Sequence, residues 1–322
     1  MFRFIAVFLL LATGAVAQPR LGEYPSRPVR VLVAFAAGGN ADINARLVST
    51  ALSARLGQQF VVENRPSGGG IVAFGELARS APDGHTLLVG ALGSHALNVG
   101  LYRELAVHPQ TGVESITITS HSPIAVAVHP SLGVTTLAAF RDLLRSRPGH
   151  FVYGSSGNGS TGHIAGAMLV SLLGVDVVHA PYRGSAAAFI DLAAGRTAFQ
   201  ADTISFLADH IRAGTVRGIV IATPARSPMS PDLPTSAEAG LPDYQATTWT
   251  PWSAPLGTPL PVRQFLYEQI AEVLKLPEVR ERLIALGNTI PEGMNPVATR
   301  DFIGAEIARW VPIVRSTGAR VD

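Results

Sequence analysis

Short apolar runs alternate with amphipathic stretches along most of this chain. Residues 29–35 are almost continuously apolar, as in a strand buried on both faces of a parallel sheet. Residues 42–56 place Ile43, Leu47 and Leu52 on one side before Gly57, which predicts a helix and its stop. Residues 60–63 predict a second strand, and Gly68-Gly69-Gly70 leads into a helix at 71–80. Pro82-Asp83-Gly84 is a turn before a third strand at 86–89. The order βαβαβ predicts right-handed crossovers and parallel pairing.

Near residues 120–123 the pattern restarts. Strands are expected at 124–128, 151–153, 177–180, 197–201 and 218–222, with helices at 137–146, 164–173, 187–194 and 206–213 between them. A loop-rich stretch at 223–242 leads to a strand at 247–253 and helices at 261–274, 277–286 and 297–316. This tail has too few strands to stand alone, so it is expected to return to the first unit. The predicted organisation is a discontinuous domain, 24–121 plus 243–322, with a second domain at 122–242 inserted and a cleft between them. Trp249 and Trp252 lie close to the second crossing.

The joints between strand and helix carry the candidate chemistry. Phe35-Ala36-Ala37-Gly38-Gly39-Asn40-Ala41-Asp42 is one. The richest runs from Tyr153 through Ser155, Ser156, Gly157, Asn158, Gly159, Ser160 and Thr161 to His163. Pro181-Tyr182-Arg183-Gly184-Ser185 and Ala201-Asp202-Thr203-Ile204-Ser205 follow. In an α/β sheet such loops gather at the carboxyl edge of the strands. They present amides and hydroxyls beside helix N-termini, which suits an anion, most simply a carboxylate.

Other chemistries find little support. A nucleophile elbow needs G-x-S-x-G, and Gly154-Ser155-Ser156-Gly157-Asn158 lacks the second glycine at that spacing. Gly157-Asn158-Gly159-Ser160-Thr161 has no P-loop lysine, and Gly38-Gly39 opens no dinucleotide fingerprint. The histidines are scattered without metal-ligand spacing, so neither a metal nor a cofactor is expected. With 0 cysteines there are no disulfides, thiol nucleophiles or iron–sulfur sites. A net charge of +2 without a basic run argues against nucleic acid. Arg3, an apolar run at 4–11 and Ala15-Val16-Ala17 predict a signal peptide at 1–17, giving a soluble, monomeric, periplasmic chain that starts at Gln18.

Single residues are weighed against plain structural roles. Asp42 stands where a helix N-cap belongs, which could also shape the first ligand loop. His163 is expected to bond the 155–156 loop or touch ligand. Ser94, His95 and Asn98 follow the third strand, at the edge where sites form. Asp202 would repel a carboxylate if unpaired, and is expected to bind an amine, a water or the loop backbone. Arg183 is a natural counter-ion.

Several blocks resemble one family. Tyr24-Pro25-Ser26-Arg27-Pro28-Val29-Arg30 is similar to its YPSKPIR mature start. Val62-Glu63-Asn64-Arg65-Pro66, Ala81-Pro82-Asp83-Gly84-His85-Thr86, Ala180-Pro181-Tyr182-Arg183-Gly184-Ser185 and Pro234-Thr235-Ser236-Ala237-Glu238-Ala239-Gly240 resemble later blocks. The chain thus resembles the Bug-type extracytoplasmic solute receptors of tripartite tricarboxylate transporters, from Tyr24 to about Gly318. The resemblance implies an α/β, type II-like periplasmic-binding-protein fold of two domains, with mostly parallel sheets flanked by helices. It implies capture of a mono- or dicarboxylate, amino acid or aromatic acid, delivered to a cognate membrane permease without catalysis. A stand-alone periplasmic sensor is the alternative. The matching loops carry Phe35, Gly38, Gly39, Asn40 and Asp42; Ser94, His95 and Asn98; and Ser155, Ser156, Gly157, Ser160, Thr161 and His163. They also carry Gly184 and Ser185, then Asp202, Thr203 and Ser205. Ala36 and Ala37 replace the prolines usual in the first loop and leave it less stiff. Asn40 is polar where small residues are usual, a candidate for selectivity.

Overall fold

A computed structural model describes residues 24–321, so the expected signal peptide at 1–17 lies outside the described residues. Strands β1 (Val29–Val33), β2 (Phe60–Asn64) and β3 (Thr86–Val89) pair in parallel, with β1 in the middle. Helices α1 (Asn40–Leu56) and α2 (Ile71–Ala78) connect them, as the periodicity predicts. A π-helical turn, Gly93–Leu97, runs into the short α3 (Asn98–Leu101) after β3, a helical segment that the periodicity did not predict.

The main departure is β4 (Val113–Val128), a single strand of 16 residues. Sequence periodicity shows only its last five positions, because Ser115, Thr117, Thr119, Ser120 and Ser122 read as polar. All five are buried. The hydroxyls of the last three find partners inside: Thr119 Oγ1 donates to the Thr250 carbonyl at 3.2 Å, Ser120 Oγ donates to Thr250 Oγ1 at 3.1 Å, and Ser122 Oγ donates to Asn288 Oδ1. Buried hydroxyls are tolerated when so paired.

Beyond β4 come α4 (Leu137–Ser146), β5 (Val152–Ser155), α5 (Thr161–Leu173), β6 (Val178–Pro181), α6 (Ser185–Ala193), β7 (Phe199–Thr203), α7 (Ile204–Arg212) and β8 (Arg217–Ile221). The chain returns through β9 (Thr247–Pro255), α8 (Leu260–Val273), α9 (Pro277–Ala285) and α10 (Pro296–Ser316). The sheet order is β2-β1-β3-β9-β4-β7-β5-β6, with β8 also on β4. Both outer blocks are parallel, and the centre is antiparallel: β9 on β3 and β4, β7 and β8 on β4.

β4 joins two halves. Its residues from Val113 to Pro123 pair with β9, and those from Ile124 to Val128 pair with β7 and β8. Register shifts between Ser115 and Thr117 and between Ile118 and His121 interrupt the β4–β9 ladder just before the change of partner. Beside that change His121 and Thr289 exchange backbone hydrogen bonds of 2.8 and 2.9 Å, which ties the returning tail to β4 within the first half. One apolar cluster, with Val31, Leu52, Trp252 and Leu266, fills the first half. A larger one joins Phe140, Tyr153 and Phe199 of the second half to Leu92, Trp249 and Trp310, so α10 backs both. No described helix is long and apolar enough to cross a membrane.

Candidate functional site

A cavity with about 830 Å³ of empty space, part of it open to solvent, lies where the two halves face each other. The β1–α1 joint contributes Phe35, Ala36, Ala37, Gly38, Gly39, Asn40 and Ala41. From the other side come Ser156, Ser160, Thr161 and Gly162 at the start of α5, and Arg183, Gly184, Ser185 and Ala186 at the start of α6. Asp202 and Thr203 stand at the end of β7, and Ala91, Ile124 and Thr248 complete the wall. The first turns of α1, α5 and α6 therefore open on one space, with α7 starting beside it. Each helix start offers amide N–H groups and the positive end of its dipole.

The α5 joint shows how sequence builds this wall. Ser160 is the N-cap of α5, and its hydroxyl accepts from His163 N at 3.1 Å. The helix begins three residues before the periodicity suggested, so Thr161 and Gly162 are its first turn. Thr161 Oγ1 donates to Thr248 Oγ1 at 3.1 Å, tying α5 to β9. Ser155, Gly157 and His163, all expected on the ligand, instead stand behind the wall. Ser155 Oγ lies 2.7 Å from His179 Nε2 and also bonds the Gly157 backbone. His163 Nδ1 accepts from Gly159 N at 3.2 Å, so its ring proton is on Nε2. Its ring stacks on His179 with centroids 3.9 Å apart and planes 13° apart. Burial pushes His163 down to about 4, and burial plus the neighbouring His163 pushes His179 down to about 3. Both imidazoles are neutral at neutral pH, and they brace the loop.

Asp42 is likewise a support. The N-cap of α1 is Gly39, so Asp42 sits inside the first turn rather than capping it. Its carboxylate accepts from Gly38 N at 2.9 Å, Asn64 Nδ2 at 2.9 Å and Arg46 Nε at 3.1 Å. Burial works against its charge, but these bonds win and hold the carboxyl below the usual range. The bond to Gly38 N fixes the glycine loop without reaching the cavity.

Ser94, His95 and Asn98 also stay out of the lining. The π turn directs them into the first half. Ser94 Oγ bonds Ala91, His95 Nε2 lies 3.1 Å from Ser253 Oγ, and Asn98 Nδ2 donates to Gly69 O at 2.7 Å. Complete burial pushes His95 down to about 3. Ser205 turns back along α7, where Ser205 Oγ donates to Thr203 Oγ1 at 2.9 Å.

The remaining expected residues come together: Phe35, Gly38, Gly39, Asn40, Ser156, Ser160, Thr161, Gly184, Ser185, Asp202 and Thr203. Arg183, singled out only as a counter-ion, is the one cationic side chain in the described lining and is exposed. Asp202 was expected on a loop but ends β7, in register with Ala125. Thr248, Ile124 and Ala91 gave no local signal, because strand pairing between distant segments brings them here. Gly184, with φ +110°, is the N-cap of α6, and a Cβ on it would stand 3.1 Å from Ala36 Cβ. The two halves thus nearly touch across the cavity mouth.

The arrangement suits noncovalent capture of a small anionic solute by amides and hydroxyls. Comparison with known proteins agrees with that chemistry. The model of the tripartite tricarboxylate transporter family receptor matches residues 44–319. Protein BugT of Bordetella pertussis is 32% identical over 324 residues, covering 100% of this chain and 99% of the relative. MatC of Rhodopseudomonas palustris, solved with bound malate, is 34% identical with a TM-score of 0.87, covering 90% of this chain and 100% of its own. Rpa4515 of the same organism, solved with adipate, is 34% identical with a TM-score of 0.88, covering 92% and 100%. From its joints to its cavity, and over nearly all its described length, the chain belongs to the tripartite tricarboxylate transporter family of solute-binding receptors.

Proposed function

We propose that this receptor works in the periplasm, where it binds a small carboxylate reversibly, without turnover, and hands it to a membrane permease as a monomer. The observation that carries the reading is the wall at the start of α5. Ser156, Ser160, Thr161 and Gly162 bring hydroxyls and helix-terminal amides to one face of the cavity. A carboxylate there accepts several bonds and feels the positive helix end without a facing lysine. The bound malate and adipate of MatC and Rpa4515 support that chemistry in relatives. Segments 24–121 plus 243–322 and 122–242 act as two domains that close on the ligand. Ser156 and Ser160 are contacts in this reading, with Arg183 a weaker one at the mouth.

Native mass spectrometry of the receptor freshly isolated from its host tests the reading directly. A retained small carboxylic acid is expected, together with an N-terminus near Gln18. The same acid should be taken up by vesicles carrying the permease only when receptor is supplied. Recovery of a chemically altered acid, or uptake indifferent to receptor, would overturn it.

A further inference from the structure

Asp202 is a buried acid on the wall of a cavity otherwise suited to anions. It is 8% exposed, and it is the only acidic side chain in the described lining. Each of its oxygens accepts one hydrogen bond from the protein. Gln200 Nε2 donates to Oδ2 at 2.8 Å and Thr203 N donates to Oδ1 at 2.8 Å. Two carboxylate oxygens offer about four acceptor positions, so each keeps room for a donor from a ligand.

A positive charge is what it lacks. Among the described residues no lysine, arginine or histidine stands within ion-pair distance of Asp202. Burial accordingly raises its carboxyl above the usual range despite those hydrogen bonds. A buried carboxylate without a counter-ion is costly, and it favours any bound species that brings one. Asp42 shows the contrast within the same chain: it has Arg46 beside it at 3.0 Å and stays ionised.

We propose that Asp202 selects the ligand, pairing with an ammonium group on the same small molecule whose carboxylate lies against the start of α5. The substrate is then an amino-carboxylate rather than a plain dicarboxylate. This rests on the solute-receptor reading above and adds the missing half of the ligand. A hydroxyl would supply a hydrogen bond but no charge. An ammonium supplies charge, which no described side chain supplies within ion-pair distance of Asp202. Arg183 lines the same cavity and remains available to a second carboxylate.

The test uses ligands matched in length. Succinate, malate and aspartate, and then glutarate, 2-hydroxyglutarate and glutamate, are titrated calorimetrically into ligand-stripped receptor. The amino member of at least one series should bind about tenfold or more tighter than its unsubstituted partner, as one ion pair out of water allows. In Asp202→Asn, which keeps the shape and an acceptor oxygen, that preference should shrink to about twofold through loss of amino-acid affinity alone. Tightest binding of the hydroxy or unsubstituted acids by the unmodified receptor overturns the proposal while leaving the carboxylate reading intact. Equal weakening of every ligand in Asp202→Asn also overturns it, since Asp202 would then merely hold the wall. Failure of all six acids, and of any acid recovered from the host protein, would instead defeat the underlying receptor reading. The titrations of the unmodified receptor decide the preference even if the variant does not fold.

Discussion

At the scale of single residues, the serines of the α5 joint divide into two jobs. Ser156 lines the cavity and is half-buried, whereas Ser160 both lines it and caps α5. A hydroxyl bond to a charged group is worth about 1.5–3 kcal/mol when lost from a dry site. Ser156→Ala should therefore weaken ligand binding about tenfold by calorimetry while leaving the urea midpoint of the free protein in place. Ser160→Ala should weaken binding too, and should also destabilise the free protein by about 1 kcal/mol as a lost N-cap. Two unchanged affinities would place the carboxylate elsewhere. The stacked pair His163 and His179 makes a separate claim about pH. Their folded values, about 4 and about 3, lie below the unfolded value near 6.5. The unfolded chain thus binds more protons in that interval, so the stability they contribute is full above about pH 6.5 and is lost as pH falls towards 4 and then 3. Buried His95 and partly buried His121, also shifted down, add to the same slope. In urea melts from pH 7 to 4, His163→Gln should show a shallower decline than the unmodified protein, since an amide oxygen can replace Nδ1 as acceptor for Gly159 N. An identical slope would mean that the pair does not titrate with unfolding.

At the scale of elements, α5 and β7 are fitted to each other through Gly162. A Cβ at this position would collide with the carbonyl oxygen of Ala201, a backbone atom that cannot rotate away. Gly162→Ala should push α5 off β7, disturb Ser160 and Asp202 together, and cost about 1–3 kcal/mol as overpacking. Chemical melts and titration on the one variant should register both losses, and normal affinity in a destabilised protein would show that the wall tolerates the shift. The joints that carry this wall were legible in the sequence because each is local. An apolar strand, a glycine and hydroxyl loop, and an amphipathic helix lie within some twenty residues, and their order alone implies a shared edge. Other features were not local. The first part of β4 hid its strand because its inward positions are Ser and Thr, paired across to Thr250. The π turn at Gly93–Leu97 carried Ser94, His95 and Asn98 away from the cavity. Thr248 entered the wall only through the antiparallel pairing of β9 with β4. Sequence periodicity can name a strand without naming its neighbour, so the supports behind the loops looked like contacts.

At the scale of the molecule, the same antiparallel centre decides how the two halves can move. They are joined by β4 and by the return into β9, and the bridge between His121 and Thr289 braces the first half beside that junction. The ladder between β4 and β9 shifts register between Ser115 and Thr117 and again across Thr119 and Ser120, so it is interrupted just before the halves part. Beneath the cavity the larger apolar cluster runs on from Leu92 and Trp249 into Phe140 and Phe199, and α10 spans its back. Packed interiors resist sliding, so freedom concentrates on the open side, at the mouth between Ala36 and Gly184. Trp249 and Trp252 are fully buried, so they would report closure through changed packing and not through exposure. Removing ligand should then open the mouth and enlarge the molecule, and saturating it should reverse the change. Small-angle scattering on receptor stripped by unfolding and refolding should give a larger radius of gyration than the same sample with the acid recovered from the host. A radius that stays constant through saturation would mean a rigid cleft, with 24–121 plus 243–322 and 122–242 behaving as one body.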